Sequence, residues 1–300
     1  MALFSVYSSP IARLYRASVF SKAFLFQLVI FLATIIVPFF VSYRSLGFWL
    51  RVSTFREQPD IKYRHEAMIF ARGPNRLLAW STFSHFNLIY SNHLRIPVIK
   101  SYEEDDNHDG LNDRLILTVE MPRLEEETIV DIQMLLFFSY SLKRYVDLKL
   151  QGMAFIHDST PIPGSRFDFS GQLEFKQATP LSLTTHYTQY DVSVVNSSSP
   201  FAIDYDVVDI LRMYESRNES IYLSNVNRIW RNDYSSSSEK FTLSGVIRYP
   251  NQVISYRPNF WQIIKEAWIQ YLAILVVFIF VFHYLKRFVF ENQIVQTIVK

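Results

Sequence analysis

The spacing Asp105-x-Asn107-x-Asp109-Gly110-x-x-Asp113 sets four oxygen-bearing side chains around one glycine. Oxygens at alternate positions converge on a hard cation, and the glycine permits a sharp turn. With the Leu111 carbonyl as a further ligand, this is the donor set of a calcium loop. It departs from the EF-hand, because Ile116 stands where a bidentate Glu belongs and Leu115 to Met121 alternates as a strand. The nearer analogue is a calcium loop held between two strands. Extracellular calcium modules bind at about 10⁻⁴ to 10⁻³ M, so the expectation is a structural, permanently occupied ion. The competing reading is an unliganded acidic turn.

Other chemistry has little footing. The chain contains no Gly-x-Ser-x-Gly, no His-Glu-x-x-His and no phosphate-binding glycine loop, and with no cysteine it offers neither a thiol nucleophile nor a disulfide. His65-Glu66 stands alone in a strand-like stretch, and Glu125-Glu126-Glu127, just past Pro122, reads as a solvated turn. Basic residues are dispersed rather than clustered beside aromatics, which leaves no nucleic-acid footprint. We expect no enzyme here, and no catalytic residue.

The elements that must carry the loop are framed by two uncharged apolar stretches, 23–43 and 267–284. At about 1.5 Å per residue the first spans a roughly 30 Å hydrocarbon core, and the second does so with little tilt. Val41-Ser42-Tyr43 offers no small-x-small cleavage site, so the first stretch reads as a retained anchor. The tail 1–22 carries Arg13, Arg16 and Lys22 without an acid, and the tail 285–300 carries Lys286, Arg287 and Lys300 against Glu291. The segment between is acidic overall, which by the positive-inside rule puts both ends in the cytosol and 44–266 outside, although Arg44, Arg51 and Arg56 run against the rule. Two Asn-x-Ser sequons, at Asn196 and Asn218, lie in that loop and none lies in a tail. Trp49, Trp261 and Trp268 fall where an interfacial belt would sit on the outer side.

Between the spans the apolar period is two, as in Ile132, Met134, Leu136, Phe138, Tyr140 and Leu142. Further strands are expected over 61–71, 77–83, 115–121, 145–155, 167–175, 186–195, 241–248 and 253–256, with turns at Pro161-Ile162-Pro163-Gly164 and across 232–238. Many short strands without alternating helices imply a mainly antiparallel, sandwich-like domain. One short helix interrupts it, with Ile203, Val207, Ile210, Leu211 and Tyr214 on one face and Asp204 or Asp206 as its N-cap. Lacking cysteine, the domain must hold together by its core, to which the chain's 16% aromatic content contributes large buried areas. Ser9-Pro10 suggests a short helix leading into the first span, and Ser235 to Ser238 a solvated loop. Neither span holds a charged side chain, which weighs against transport, while Gln27 and Gln270 face headgroups or a partner helix.

Residues from end to end carry a resemblance. The blocks Arg44-Ser45-Leu46-Gly47-Phe48-Trp49-Leu50, Glu57-Gln58-Pro59, Leu78-Ala79-Trp80-Ser81-Thr82-Phe83 and Pro161-Ile162-Pro163-Gly164-Ser165 resemble the transmembrane protein 231 family. So do Ser199-Pro200-Phe201-Ala202-Ile203-Asp204-Tyr205-Asp206, Ile247-Arg248-Tyr249-Pro250, Val253-Ile254-Ser255-Tyr256, Phe288-Val289-Phe290-Glu291-Asn292-Gln293 and the calcium-like loop. The stretch Ser235 to Ser238 lies outside the match. The resemblance implies a non-catalytic component of the ciliary transition zone, in the tectonic-like or Meckel syndrome complex. It implies a share in the diffusion barrier between ciliary and plasma membranes, in cilium assembly and in Hedgehog signalling. Its partners would be other transition-zone membrane and membrane-associated proteins and the lipid bilayer. Residues alone leave open a glycosylated accessory subunit of a transporter, flippase or channel.

Overall fold

The computed structural model describes residues 15–299 other than 19, 46–47, 75, 125–126 and 233–239. In chain order its elements are β1 (Tyr15–Arg16), α1 (Lys22–Arg44), β2 (Ser53–Glu57), β3 (Asp60–Arg72), β4 (Leu77–Ser81), α2 (Ser84–Ile89), β5 (Val98–Glu104) and β6 (Arg114–Pro122). There follow β7 (Ile129–Leu142), β8 (Asp147–Gly164), β9 (Arg166–Gln177), β10 (Leu181–Ser182), β11 (His186–Tyr187) and α3 (Val207–Glu215). The chain closes with β12 (Glu219–Arg231), β13 (Lys240–Arg248), β14 (Gln252–Arg257), α4 (Phe260–Glu291) and β15 (Ile298–Val299). Two compact units result, one formed by the ends of the chain and the other by Val52–Arg257.

In the first unit α1 and α4 are both long and apolar enough to cross a membrane. Ser21 caps α1, its hydroxyl accepting from the Phe24 amide at 3.3 Å. Ala23, Ile30, Pro38 and Ser42 form the buried stripe of α1, and at Ala23 and Ser42 the small side chain is of the kind that lets helices approach closely. The Tyr271 hydroxyl of α4 donates to the Ile35 carbonyl at 3.4 Å. The rest of both helices is apolar and exposed, as at Phe31, Phe40, Val277 and Phe280. Helix α4 extends about two turns past the apolar stretch 267–284 at each end, because Lys265, Glu266, Lys286 and Arg287 are good helix formers that solvated turns accept. At 32 residues it is about 48 Å long, more than the hydrocarbon core needs.

The second unit is built on two five-stranded sheets, ordered β11-β8-β7-β3-β4 and β12-β9-β13-β6-β5, with a small third sheet β10-β14-β2. Pairing is mainly antiparallel, with parallel contacts at β13–β9, β10–β14 and β11–β8. Inward residues of the two large sheets, among them Leu117, Leu136, Phe138, Phe167, Phe241 and Leu243, form the main core. Beyond this sandwich, a second cluster covers the outer face of β3, β7 and β8, where Met68, Phe70, Leu135, Phe137 and Met153 pack under Phe86 of α2 and Ile210 and Tyr214 of α3. Strand β7 is therefore buried on both faces through its middle, from Met134 to Phe138.

Several expectations need correction. Among the described residues the β domain has two short α-helices, not one, and Asp206 is the N-cap of α3, accepting from the Val208 amide at 3.4 Å. Asp204 instead takes the Ser199 hydroxyl, and Ile203 is exposed. The stretch 186–195 is strand only at His186–Tyr187, since Pro200 and the turn-forming Asp191 and Asn196 to Ser199 favour loop beyond it. Pro161 and Pro163 lie within β8 and the turn falls at Ser165, which strands tolerate where no neighbour needs the missing amide. Glu127 is buried rather than solvated, accepting from Arg95 at 3.0 Å and Arg76 at 3.3 Å while its second oxygen takes the Leu124 amide. Strands β2, β5 and β12, and the two-residue strands β1, β10 and β15, have no counterpart among the strands that the alternation predicts. The Ser9-Pro10 helix and the Ser235 to Ser238 loop lie outside the described residues.

Candidate functional site

The acidic loop joins β5 to β6 as the tip of an antiparallel hairpin in which Glu104 pairs with Arg114. Its stem is closed by the Asp113 amide donating to the Glu104 carbonyl and the Tyr249 amide donating to the Asp113 carbonyl, each at 2.8 Å. Within the loop the side-chain oxygens turn inward. Asp105 accepts from the Gly110 amide at 2.9 Å, Asn107 from the Asp109 amide at 2.9 Å, and Asp109 from the Leu111 amide at 2.8 Å. Asp113 accepts from the Asp106 amide at 2.8 Å and from the Gln58 side chain at 2.9 Å. Such turns need left-handed backbone, supplied by His108 at φ 58° and Gly110 at φ 85°.

Sequence spacing thus identified a real, ordered loop, and the structure gives its oxygens an occupation that needs no ion. Among the described residues, no three His, Cys, Asp or Glu side chains stand close enough together to hold a metal. Each carboxylate oxygen keeps a second lone pair, so amide bonding and calcium binding are compatible chemically. Desolvation works to raise the Asp105 carboxyl, and the amides of Gly110, His108 and Asp109 outweigh it, leaving it below the usual carboxylate range. A lowered carboxyl stabilises the fold above its unfolded pKa, and that contribution is lost as pH falls through the folded value. In the full chain, Asp109→Ala is expected to lower Tm slightly in chelator, through the Leu111 amide, and further in millimolar calcium. Thermal unfolding under the two conditions measures both parts, and equal shifts leave Asp109 with its amide alone.

The hairpin is braced from below. Glu103 accepts from the Tyr63 amide at 2.8 Å, the Tyr249 hydroxyl at 3.0 Å and the Asn112 side chain at 2.9 Å. Burial, then the nearby Glu103 carboxylate, pushes the Tyr249 hydroxyl far above its ordinary value, so it remains a donor throughout the accessible pH range. No feature of the sequence distinguished Glu103 from its neighbours.

Both sequon asparagines are exposed, Asn196 in the loop before α3 and Asn218 in the turn before β12. The Ser198 hydroxyl donates to the Asn196 side chain at 2.9 Å, whereas Ser220 is buried at the start of β12. Trp49, Trp261 and Trp268 are all exposed, as an interfacial role requires. Gln27 lines a cavity between the ends of α1 and α4 together with His283, Lys286 and Arg287.

Two apolar helices at the ends of the chain, with a folded β domain strung between them, define a membrane protein with two candidate spans. The family model described as Transmembrane protein 231 matches residues 1–299, and the chain belongs to that family. It is 44% identical to Transmembrane protein 231 of Mus musculus over 99% of this chain and 95% of the relative. Identity is 42% to the protein of that name in Homo sapiens, with the same coverage, and 42% to the one in Xenopus tropicalis over 99% of this chain and 96% of the relative. A chain from a cryo-EM structure of a proton-activated chloride channel is matched over 89% of this chain and 99% of its own, at 8% identity and a TM-score of 0.27. At that score the likeness carries no argument.

Proposed function

We propose that this chain is a non-catalytic component of the ciliary transition-zone membrane complex, with both termini in the cytosol and the β domain outside. There it docks other membrane and membrane-associated proteins of the tectonic-like assembly, and so contributes to the diffusion barrier, to cilium assembly and to Hedgehog signalling. The observation that carries this reading is the family match over residues 1–299, which takes in both helices and the whole β domain. The physics is compatible with it. The central stretches of both helices lack charged side chains, which suits anchoring rather than transport, and the β domain offers broad sheet and helix surfaces for partners.

The test is the position of the endogenously tagged protein in ciliated cells at super-resolution. A discrete signal between basal body and axoneme, lost when another member of the assembly is removed, is expected. A diffuse plasma-membrane or endoplasmic-reticulum signal that follows a transporter would instead make it an accessory subunit. Sidedness has its own measurement. Glycosidase treatment is expected to shift the mobility of the wild-type chain, with Asn196→Gln and Asn218→Gln each removing part of the shift, while an epitope in the β domain is cut by protease added to intact cells. Protection of that epitope, with the tails cut instead, would invert the topology.

A further inference from the structure

The cavity of about 700 Å³ between the ends of α1 and α4 has a composition that the family reading does not use. On α4, His283, Lys286, Arg287 and Phe290 recur at i, i+3, i+4 and i+7, so one helix face brings an imidazole, two cationic groups and an aromatic ring to the cavity. Across from it α1 contributes Phe24 and Gln27. Phe290 is fixed by ring contacts with Phe26 at 5.9 Å and Tyr15 at 5.8 Å. The chain tails meet beside it, Tyr15 pairing with Val299 and Arg16 with Ile298. Thr297, just before that pairing, lines the cavity with a shielded hydroxyl that has no hydrogen-bond partner among the described residues.

Charge decides what fits. Lys286 makes no ion pair among the described residues. Arg287 uses Nε on Glu291 at 2.8 Å, which among the described residues leaves its terminal guanidinium nitrogens as donors, and Glu291 is the one acid among the described residues lining the cavity. Lys286 is half-buried, and a half-buried cation without a counter-charge is costly unless an anion joins it. The surrounding helix surface is apolar and exposed, as at Phe24, Leu285 and Phe288, which is where acyl chains would lie. A ligand for this place must therefore be anionic at one end and apolar at the other.

We propose that this cavity binds an anionic phospholipid, with its phosphorylated headgroup on Lys286 and the free donors of Arg287, the Thr297 hydroxyl and Gln27 serving its oxygens, and an acyl chain against Phe24 and Phe290. Basic pockets between membrane helices are established receptors for such headgroups, and each Lys or Arg near an anionic surface contributes on the order of a fivefold gain in affinity. The site requires only that α1 and α4 cross a membrane, and it stands or falls independently of the ciliary assignment.

The experiment uses the full chain in phosphatidylcholine nanodiscs carrying a fluorescent phosphatidylinositol bisphosphate, with Phe288→Trp as a common background that places a donor beside the cavity, and binding read as the energy transfer gained over the same chain without it. Wild type is expected to give a saturable signal, and Lys286→Ala with Arg287→Ala to weaken it by about thirtyfold. Lys286→Gln with Arg287→Gln, which keeps the helix-forming side-chain length, should do the same with Tm unchanged. Lys265→Ala, at the other end of α4, is expected to bind as wild type. Equal binding by all variants would overturn the site. Displacement by inorganic phosphate as effective as displacement by unlabelled lipid would overturn the lipid in favour of a free phosphate, whereas displacement by unlabelled lipid alone supports it.

Discussion

Gln252→Leu is expected to lower the stability of the β domain by about 3–4 kcal/mol, a Tm loss of roughly 10 °C for a domain of this size. The side chain of Gln252 is a buried polar group that ties three sheets together. Its Oε1 accepts from the Tyr140 hydroxyl of β7 at 2.9 Å and from the Phe175 amide of β9 at 3.0 Å. Its Nε2 donates to the Leu173 carbonyl of β9 at 2.9 Å, while its own backbone runs in β14. Leucine has similar volume and satisfies none of these bonds, so a hydroxyl, an amide and a carbonyl are left unpaired in the core. Tyr140→Phe removes one donor only and should cost about 1 kcal/mol, since Gln252 keeps both partners on β9. The double variant should be less damaged than the two singles predict, because the hydroxyl orphaned by Gln252→Leu is then absent. Chemical denaturation of the four proteins measures this, and a Gln252→Leu loss below about 1 kcal/mol would show that the three sheets do not depend on this link.

Gly245→Ala is expected to cost about 2–3 kcal/mol. Gly245 of β13 pairs with Phe169 of β9, and the Phe169 ring lies over the glycine so closely that an added Cβ would fall 2.0 Å from its tip. Phe169 is itself buried in the main core, stacked with Phe167 at 6.1 Å, so the ring has little room to turn aside. The remedy is specific. Phe169→Leu removes the ring tip and should cost about 1–2 kcal/mol alone, while combining it with Gly245→Ala should recover much of the loss. Additive losses in the double variant would mean that the cost arises in the strand backbone rather than in the overlap.

Much of the framework was legible from residue order. The two spans follow from length and apolarity, and β3, β4, β6, β7, β9, β13 and β14 from the period-two pattern, because alternation directly records which side of a strand is buried. The hairpin loop 105–113 was legible because glycine and side-chain oxygens at fixed offsets impose local turn geometry whatever surrounds them. The strands that escaped notice lie towards the edges of their sheets. Strand β12 is rich in polar residues and carries an irregularity between Ser224 and Asn227, with Asn225 at φ 49°, so its alternation is broken. Strand β5 exposes Val98 and Tyr102 on a sheet edge, where apolar side chains do not signal a core.

The calcium-like loop shows where a motif reading stops. Spacing shows that Asp105, Asn107, Asp109 and Asp113 can face one another, but not whether amides already hold their oxygens, as they do here. Glu127 is a comparable case. Its place after Pro122 suggested solvent, yet Arg76 and Arg95 reach it from segments remote in sequence and make burial tolerable.

By itself the sequence determined that two apolar helices end this chain, that a β domain without disulfides lies between them, and which side of most strands is apolar. Those properties depend on local composition and period, and they are written residue by residue. Only the tertiary structure decided that β7 is covered on both faces, since α2 and α3 come to it from about fifty residues before and seventy after. It alone placed Gln252 inside, Glu127 under two arginines, and a basic helix face against the end of α1. Each of these depends on which distant surface meets which, and a polar side chain reads the same in a sequence whether water or a buried partner satisfies it.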